Sequence, residues 1–305
     1  MEMNLRQLRY IAEIAECDLN ISVAAAALHT SQSGISKQVR LLESELGIEI
    51  FARSRSRLRS VTPQGDRVID FARRALQEIS NIRALSQERK TQSSITVATS
   101  HTQARYVLPA IMKRFAARHP GDRISVLHGD PAQIAELVRS GRADLGVSTE
   151  VAPAQALLTL IYRSFERIVV VPRGHALLRM KRITLEALAR HPLVTYEPQY
   201  SGRRDVVQAF EKHGLTPRLV MSATDADVIK TYVEQGLGIA VLSEVTFDTA
   251  RDAGLRAIRA GHLFAPSTTT LLVHRKRYLH QQAYDFLEMC LPKWTRADVQ
   301  RAAAA

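Results

Sequence analysis

Apolar residues recur at helical spacing near the N-terminus, where Leu5, Leu8, Ile11, Ala12 and Ala15 trace one face. That three-to-four-residue interval is the mark of a half-buried helix. A second short run, Val23 to Leu28, follows Asn20 and Ser22, both helix-start residues. A third begins near Ser31: TSQSGISKQVRLLESELG places Ile35, Val39, Leu42 and Leu46 on one face and stops at Gly47. Three short helices with a tight connection between the second and third predict a helix-turn-helix. After Gly47 the chain alternates through Ile48 and Ile50 and breaks into RSRSRLRS, the pattern of a small hairpin wing. The predicted head spans residues 1–61.

The next segment, VTPQGDRVIDFARRALQEISNIRALSQERK, has Thr62 as a helix cap and Pro63 at the first helical position. Val68, Ala72, Ala75, Ile79, Ile82 and Leu85 trace a narrow seam along a helix of about 40 Å, predicted over 62–90. A long helix with one narrow apolar seam needs a partner. Dimerisation through this seam is expected, although the helix's own head could cover part of it. A polar hinge follows at 91–94.

From Ile95 strand-like and helix-like segments alternate: ITVATS, a helix over Tyr106 to Ala117, RISVLHG, a helix near Ala132 to Ser140, then ADLGVST. This predicts an α/β unit with a mainly parallel sheet. A second unit begins after Tyr162 with ERIVVVP and runs through PLVTY, RLVMSAT and GIAVLS, before TTTLLVHRK and a helix near His280 return to the first. The lobes are assigned to 95–163 with 267–295 and to 164–266, and 296–305 to a flexible C-terminal tail. Two such lobes leave a cleft at their strand ends.

Composition narrows the picture. The chain is 46% apolar and 24% charged, with no apolar run near the roughly 20 residues of a membrane span. The opening residues lack the pattern of an export signal, and Cys17 and Cys290 are far apart with no metal spacing beside them. The expectation is a cytoplasmic protein without a metal or cofactor and with no membrane partner. The net charge of +12 is a poor guide to nucleic acid, because residues 1–90 hold 14 basic against 11 acidic side chains and most of the excess lies beyond them. Local pattern says more. Ser31, Gln32, Ser33, Ser36, Lys37, Gln38 and Arg40 crowd the first half of the third helix, where base edges and phosphates are met. Arg53, Arg55 and Arg57 in the wing suit phosphate. Double-stranded DNA is the expected partner.

In the second region ATSHTQARY closes a strand, crowds hydroxyls with an amide and opens a helix. Ser100, Thr102 and Gln103 stand there; Thr149 ends another strand and Ser201 follows PLVTYEPQY. Neutral donors gathered at helix starts suit a small oxyanion. Ser and Thr after strands are also ordinary helix caps, a reading that serves Thr102 alone equally well.

Across the whole chain LRYI, TSQSGISKQVRLLESELGIEIFAR, VTPQG, HTQARY, PLVTY, GLTPR and TDADVIKTYVEQGLGI resemble the LysR-type transcriptional regulators. HTQARY and TDADVIKTY point to the CysB-like branch, which governs cysteine biosynthesis and sulfur assimilation. The resemblance implies an N-terminal all-α winged helix-turn-helix with a long linker helix, then a C-terminal α/β two-lobed, periplasmic-binding-protein-like effector domain. It implies a homotetramer on promoter DNA, contact with RNA polymerase, and a small anionic effector, sulfate or a sulfur-pathway metabolite such as an acetylserine. The matching cleft positions are Ser100, Thr102, Gln103, Thr149 and Ser201. Ser33 stands where such regulators usually carry Pro, and Ser100 and Ser201 stand where the pattern has Thr. A regulator of sulfonate or taurine use that senses adenosine phosphosulfate or sulfate is the alternative, and a solute-binding receptor a remote one. No nucleophile elbow, phosphate-binding Gly-Lys-Ser/Thr loop or zincin His pair is present, so no catalytic residue is assigned and no enzyme is expected.

Overall fold

The computed structural model of the chain describes residues 3–54, 57–87, 94–149 and 154–304. The chain divides into two compact units, Met1–Arg89 and Lys90–Ala305.

In the first unit, helices α1 (Leu5–Glu16), α2 (Ile21–Ala27) and α3 (Gln32–Leu46) precede a hairpin of β1 (Phe51–Ser54) and β2 (Arg57–Val61), then helix α4 (Pro63–Gln87). Side chains that satisfy the free amides of the first turn start the three short helices. Asn4 accepts from the Arg6 and Gln7 N–H groups while Gln7 returns to Asn4, Asn20 accepts from Ser22 and Val23, and Ser31 accepts from Gly34. Gly47 ends α3 at φ 63°, a left-handed cap natural to glycine. Ile11, Ile14, Ile35, Val39, Leu42 and Ile50 are fully enclosed, whereas Leu46, expected on the same face, is 36% exposed because α3 runs past the core before Gly47 turns the chain.

The first half of α4 completes this core, with Ile69 and Ala72 buried and Val68, Ala75 and Leu76 packed beside them. Gly65 permits the approach, since a Cβ there would lie 2.1 Å from the Ile50 carbonyl oxygen. The predicted seam is therefore shared: its first half faces the head, and Ile82 is 65% exposed. The Leu85 side chain and hinge residues 91–93 lie outside the described residues.

The second unit begins with β3 (Ser94–Thr99), a π-helical turn (Gln103–Val107), α5 (Leu108–Arg118), β4 (Arg123–His128), α6 (Pro131–Arg139), β5 (Leu145–Thr149) and β6 (Leu157–Phe165). The chain then enters the second lobe with β7 (Arg167–Pro172), α7 (Leu185–Ala189), β8 (Leu193–Tyr196), α8 (Ser201–Glu211), β9 (Leu219–Ala223), α9 (Ala226–Glu234), β10 (Ala240–Ser243) and β11 (Leu255–Arg259). It returns through β12 (Ser267–His274), α10 (Gln281–Cys290) and α11 (Arg296–Ala304).

The sheets are mixed rather than mainly parallel. In the first lobe the order is β4-β3-β5-β12-β6, with β3 parallel to β4 and β5 but β12 antiparallel to β5 and β6. In the second, β7 lies antiparallel between β10 and β11, and β8 runs parallel to β9. Each of these antiparallel pairings involves β7 or β12, the strands with which the chain enters one lobe or returns to the other, which alternation alone does not reveal. The expected flexible tail is a correction too: α11 is a helix whose Val299 is 2% exposed in the first-lobe core, and Arg275 donates to the Ala302 carbonyl at 2.7 Å. Among the described residues no helix is long and apolar enough to cross a membrane.

Candidate functional site

The head presents its polar residues on an open face. Ser31, Gln32, Ser33, Lys37 and Arg40 are exposed and Ser36 and Gln38 half-buried, all along the first half of α3. Gln32 accepts from the Ser22 hydroxyl at 3.2 Å, and the Ser31 and Ser33 hydroxyls lie 3.3 Å apart, so the entrance to α3 is tied to α2 without a proline. Arg53 behaves differently from the other basic residues. It pairs with Glu43 at 2.5 Å, and Glu43 also accepts from the backbone N–H groups of Ile50 and Phe51. That carboxylate is a bracket joining α3 to the wing rather than a solvated acid, and Arg53 is partly committed to it. Arg55 and the Arg57 side chain lie outside the described residues.

The cleft gathers its residues through long-range contacts. Ser100 follows β3 and its Oγ accepts from the Gln103 N–H at 3.4 Å. Gln103, 3% exposed, donates through Nε2 to Thr269 Oγ1 at 3.1 Å, and Thr269 stands opposite Thr149 in the β12–β5 pairing. From the second lobe the Ser201 hydroxyl, at the start of α8, donates to Thr149 Oγ1 at 3.3 Å. Thr102 meets the second lobe through the Tyr196 hydroxyl. All five predicted cleft residues thus lie in one connected region spanning both lobes.

Chemically this region is rich in donors. No side chain caps α8, whose first amides follow Tyr200, and a helix start carries partial positive charge. Oε1 of Gln103 has no hydrogen-bond partner despite its burial. Oxygen and nitrogen of an amide are assigned from such networks. With the amide turned, Oε1 would accept from Thr269 and Nε2 would face the cleft as a donor.

Four neighbours escaped the sequence reading. Tyr196 is enclosed, and burial drives its phenol up to about 12, which keeps it a neutral hydrogen-bonding group. Gly202 makes room for it, since a Cβ there would sit 2.8 Å from the Tyr196 ring and 3.6 Å from Arg167 Nη1. Arg167 is 2% exposed and lies 3.3 Å from Asp205, a buried positive charge beneath the start of α8. His128 stacks on His101 with centroids 4.2 Å apart, and burial and its neighbour lower its pKa. Alternation marks Tyr196 and Arg167 as strand residues; only the folded packing brings them under α8. Among the described residues no group of three His, Cys, Asp or Glu converges as a metal site.

Comparison with known proteins gives these features a setting. Residues 5–66 match the bacterial regulatory helix-turn-helix protein, lysR family, and residues 88–295 match the LysR substrate binding domain. The chain is 42% identical to the regulator CysB of Haemophilus influenzae, covering 98% of this chain and 94% of that protein. It is 40% identical to SsuR of Burkholderia cenocepacia, covering 97% of each, and 38% identical to Cbl of Escherichia coli, covering 98% and 96%. The crystallised cofactor-binding domain of the Cbl transcriptional regulator superposes with a TM-score of 0.67 at 34% identity, covering 70% of this chain and 94% of that one. HinK of Pseudomonas aeruginosa shares the fold over 97% of this chain, with a TM-score of 0.60 at 23% identity. With its head, its two-lobed domain and its full-length relatives agreeing, this chain belongs to the LysR family of DNA-binding transcription regulators.

Proposed function

We propose that this regulator controls genes of sulfur acquisition, reading promoter DNA with α3 and the wing and sensing a small sulfur-pathway oxyanion in the cleft. The observation that carries the sensing half is the chain of neutral groups across the lobes, from Ser100 and Gln103 through Thr269 and Thr149 to Ser201, beside the uncapped start of α8. Hydroxyls and amides complement an anion that stays ionised, and Arg167 adds one buried positive charge behind them. Sulfate and the acetylserines are the ligands best suited to a site of this chemistry. Cysteine biosynthesis is the programme, supported by similarity to CysB. Adenosine phosphosulfate, and with it a sulfonate programme, is the second reading, favoured by the similarity to SsuR and Cbl.

On the DNA side, Ser31, Gln32, Ser33, Ser36, Lys37, Gln38 and Arg40 are the proposed contacts, with the wing arginines on phosphate. Oligomerisation, to a tetramer, would use the second half of α4, where Ile82 stands 65% exposed.

Calorimetric titration with sulfate, thiosulfate, N-acetylserine, O-acetylserine and adenosine phosphosulfate tests the reading, with Thr102→Ala as the control. Binding of sulfate or an acetylserine that Thr102→Ala weakens supports it. Binding of adenosine phosphosulfate alone moves the protein to the sulfonate programme, and binding of none overturns the effector assignment.

A further inference from the structure

Four residues beyond Thr102, Tyr106 leaves the first lobe. It sits in the π-helical turn, and its ring packs against the second-lobe core that contains Tyr196, Ala226 and Ile229. Its hydroxyl donates to Asp227 Oδ1 at 2.5 Å and accepts from Lys230 Nζ at 2.9 Å, both on α9. Lys230 is itself held fast: it is 5% exposed, donates to both Asp252 carboxylate oxygens at 2.8 and 2.9 Å, and reaches the Thr246 carbonyl at 2.8 Å. Arg105 closes the outer side with its Nε 2.5 Å from Asp227. Lys230 is thus a buried cation whose main counter-charge, Asp252, lies 22 positions away in sequence.

Anchoring of this kind has a consequence for the cleft. Thr102 and Gln103 open the same turn that Tyr106 pins, and a single helical turn moves as a unit. With Tyr106 fixed to α9 and Tyr196 touching Thr102, the turn is held to the second lobe at both ends. We propose that Tyr106 is a positioning residue of the effector site: its hydroxyl, seated between Asp227 and Lys230, holds the π turn so that Thr102 and Gln103 face Ser201 before ligand arrives. The proposal rests on the cleft being the effector site. A site ordered in advance does not lose affinity to the entropy of ordering it at binding.

Tyr106→Phe removes only the hydroxyl. The ring keeps its packing, Asp227 keeps Arg105, and Lys230 keeps Asp252 and Thr246, so no buried charge is stranded. The test uses the full chain with Cys17→Ser and spin labels at cysteines introduced for Lys113 on α5 and Lys212 beyond α8, both exposed, diluted into unlabelled protein. Electron-electron resonance then reports the distance between lobes without ligand, and calorimetry reports binding of sulfate and of N-acetylserine. The expected result for Tyr106→Phe is a broader distance distribution and about a tenfold rise in Kd for whichever probe the parent binds, the scale of one hydrogen bond to charged groups, with only a modest fall in Tm. An unaltered distribution with an unaltered Kd overturns the proposal, as does a lowered Tm accompanied by neither change. Should the parent bind neither probe, the effector reading fails and the distance distribution alone decides whether Tyr106 holds the lobes.

Discussion

The recognition helix and the cleft present polar side chains in opposite ways. On α3 they stand on a face open to solvent while the apolar face beneath is sealed by Ile35, Val39 and Leu42. In the cleft they are inside: Gln103 and Ser201 are each 3% exposed, and their partners come from positions 269 and 149. An open polar face can meet a large, variable surface such as DNA. An enclosed one suits only a small partner that can meet its buried donors and acceptors, and it tolerates little change.

The largest effect is expected where the head departs from this pattern. Glu43→Ala would leave the Ile50 and Phe51 amides and Arg53 without their shared acceptor. A loss of about 2–4 kcal/mol in stability of the first unit is expected, measured by urea unfolding of residues 1–89 against the parent fragment, with DNA affinity falling alongside. If stability held, Glu43 would be a surface acid after all.

Gly202→Val probes the enclosed site. Tyr196 and Arg167 have no room for a branched side chain beside them, so effector affinity should drop by more than tenfold and stability by about 1–3 kcal/mol. Promoter binding without ligand should persist, as a gel-shift assay would show.

Acid sharpens the comparison from another side. Asp144 feels burial, which raises its pKa, but hydrogen bonds from His280 and the Thr96 amide, and the charge of Arg277, outweigh it and hold the pKa below its ordinary value. A depressed carboxylate contributes stability above its unfolded pKa and loses it as pH falls through the folded one. Asp144→Asn should therefore lower Tm at pH 7, by the equivalent of about 1–2 kcal/mol, and the gap to the parent should close as pH drops below 4. The smallest effect belongs to the open face. Lys37→Ala should weaken all DNA sequences about equally and reduce the salt slope of binding by about 1, read from fluorescence anisotropy at several salt concentrations.

This contrast also explains what could be read in advance. Ser31 and Gly47 bound α3 and Thr62 with Pro63 opens α4, because caps are local chemistry written in adjacent residues. The five hydroxyl and amide residues were legible as polar groups at strand ends and helix starts for the same reason, while their part in holding an effector stays a proposal. Tyr196, Arg167 and Thr269 were not, since their roles depend on which strands cross between lobes. Glu43 and Arg53 each looked like ordinary surface charge, and their pairing depends on how the wing folds back on α3. The C-terminal helix was missed because its apolar content is only Val299 and a few alanines, enough to dock on an existing core but too little to announce an element.

The π turn at Gln103–Val107 carries an implication for how such a sensor can diversify. A π turn is an α-helix with one residue too many, and the surplus is taken up by widening the turn locally. Deleting Ala104 would restore regular α winding and reset how Thr102 and Gln103 are presented relative to Tyr106, which ties the same turn to α9. On the proposed effector reading, ligand choice in this lobe is then adjustable by a one-residue insertion or deletion, a coarser dial than side-chain exchange.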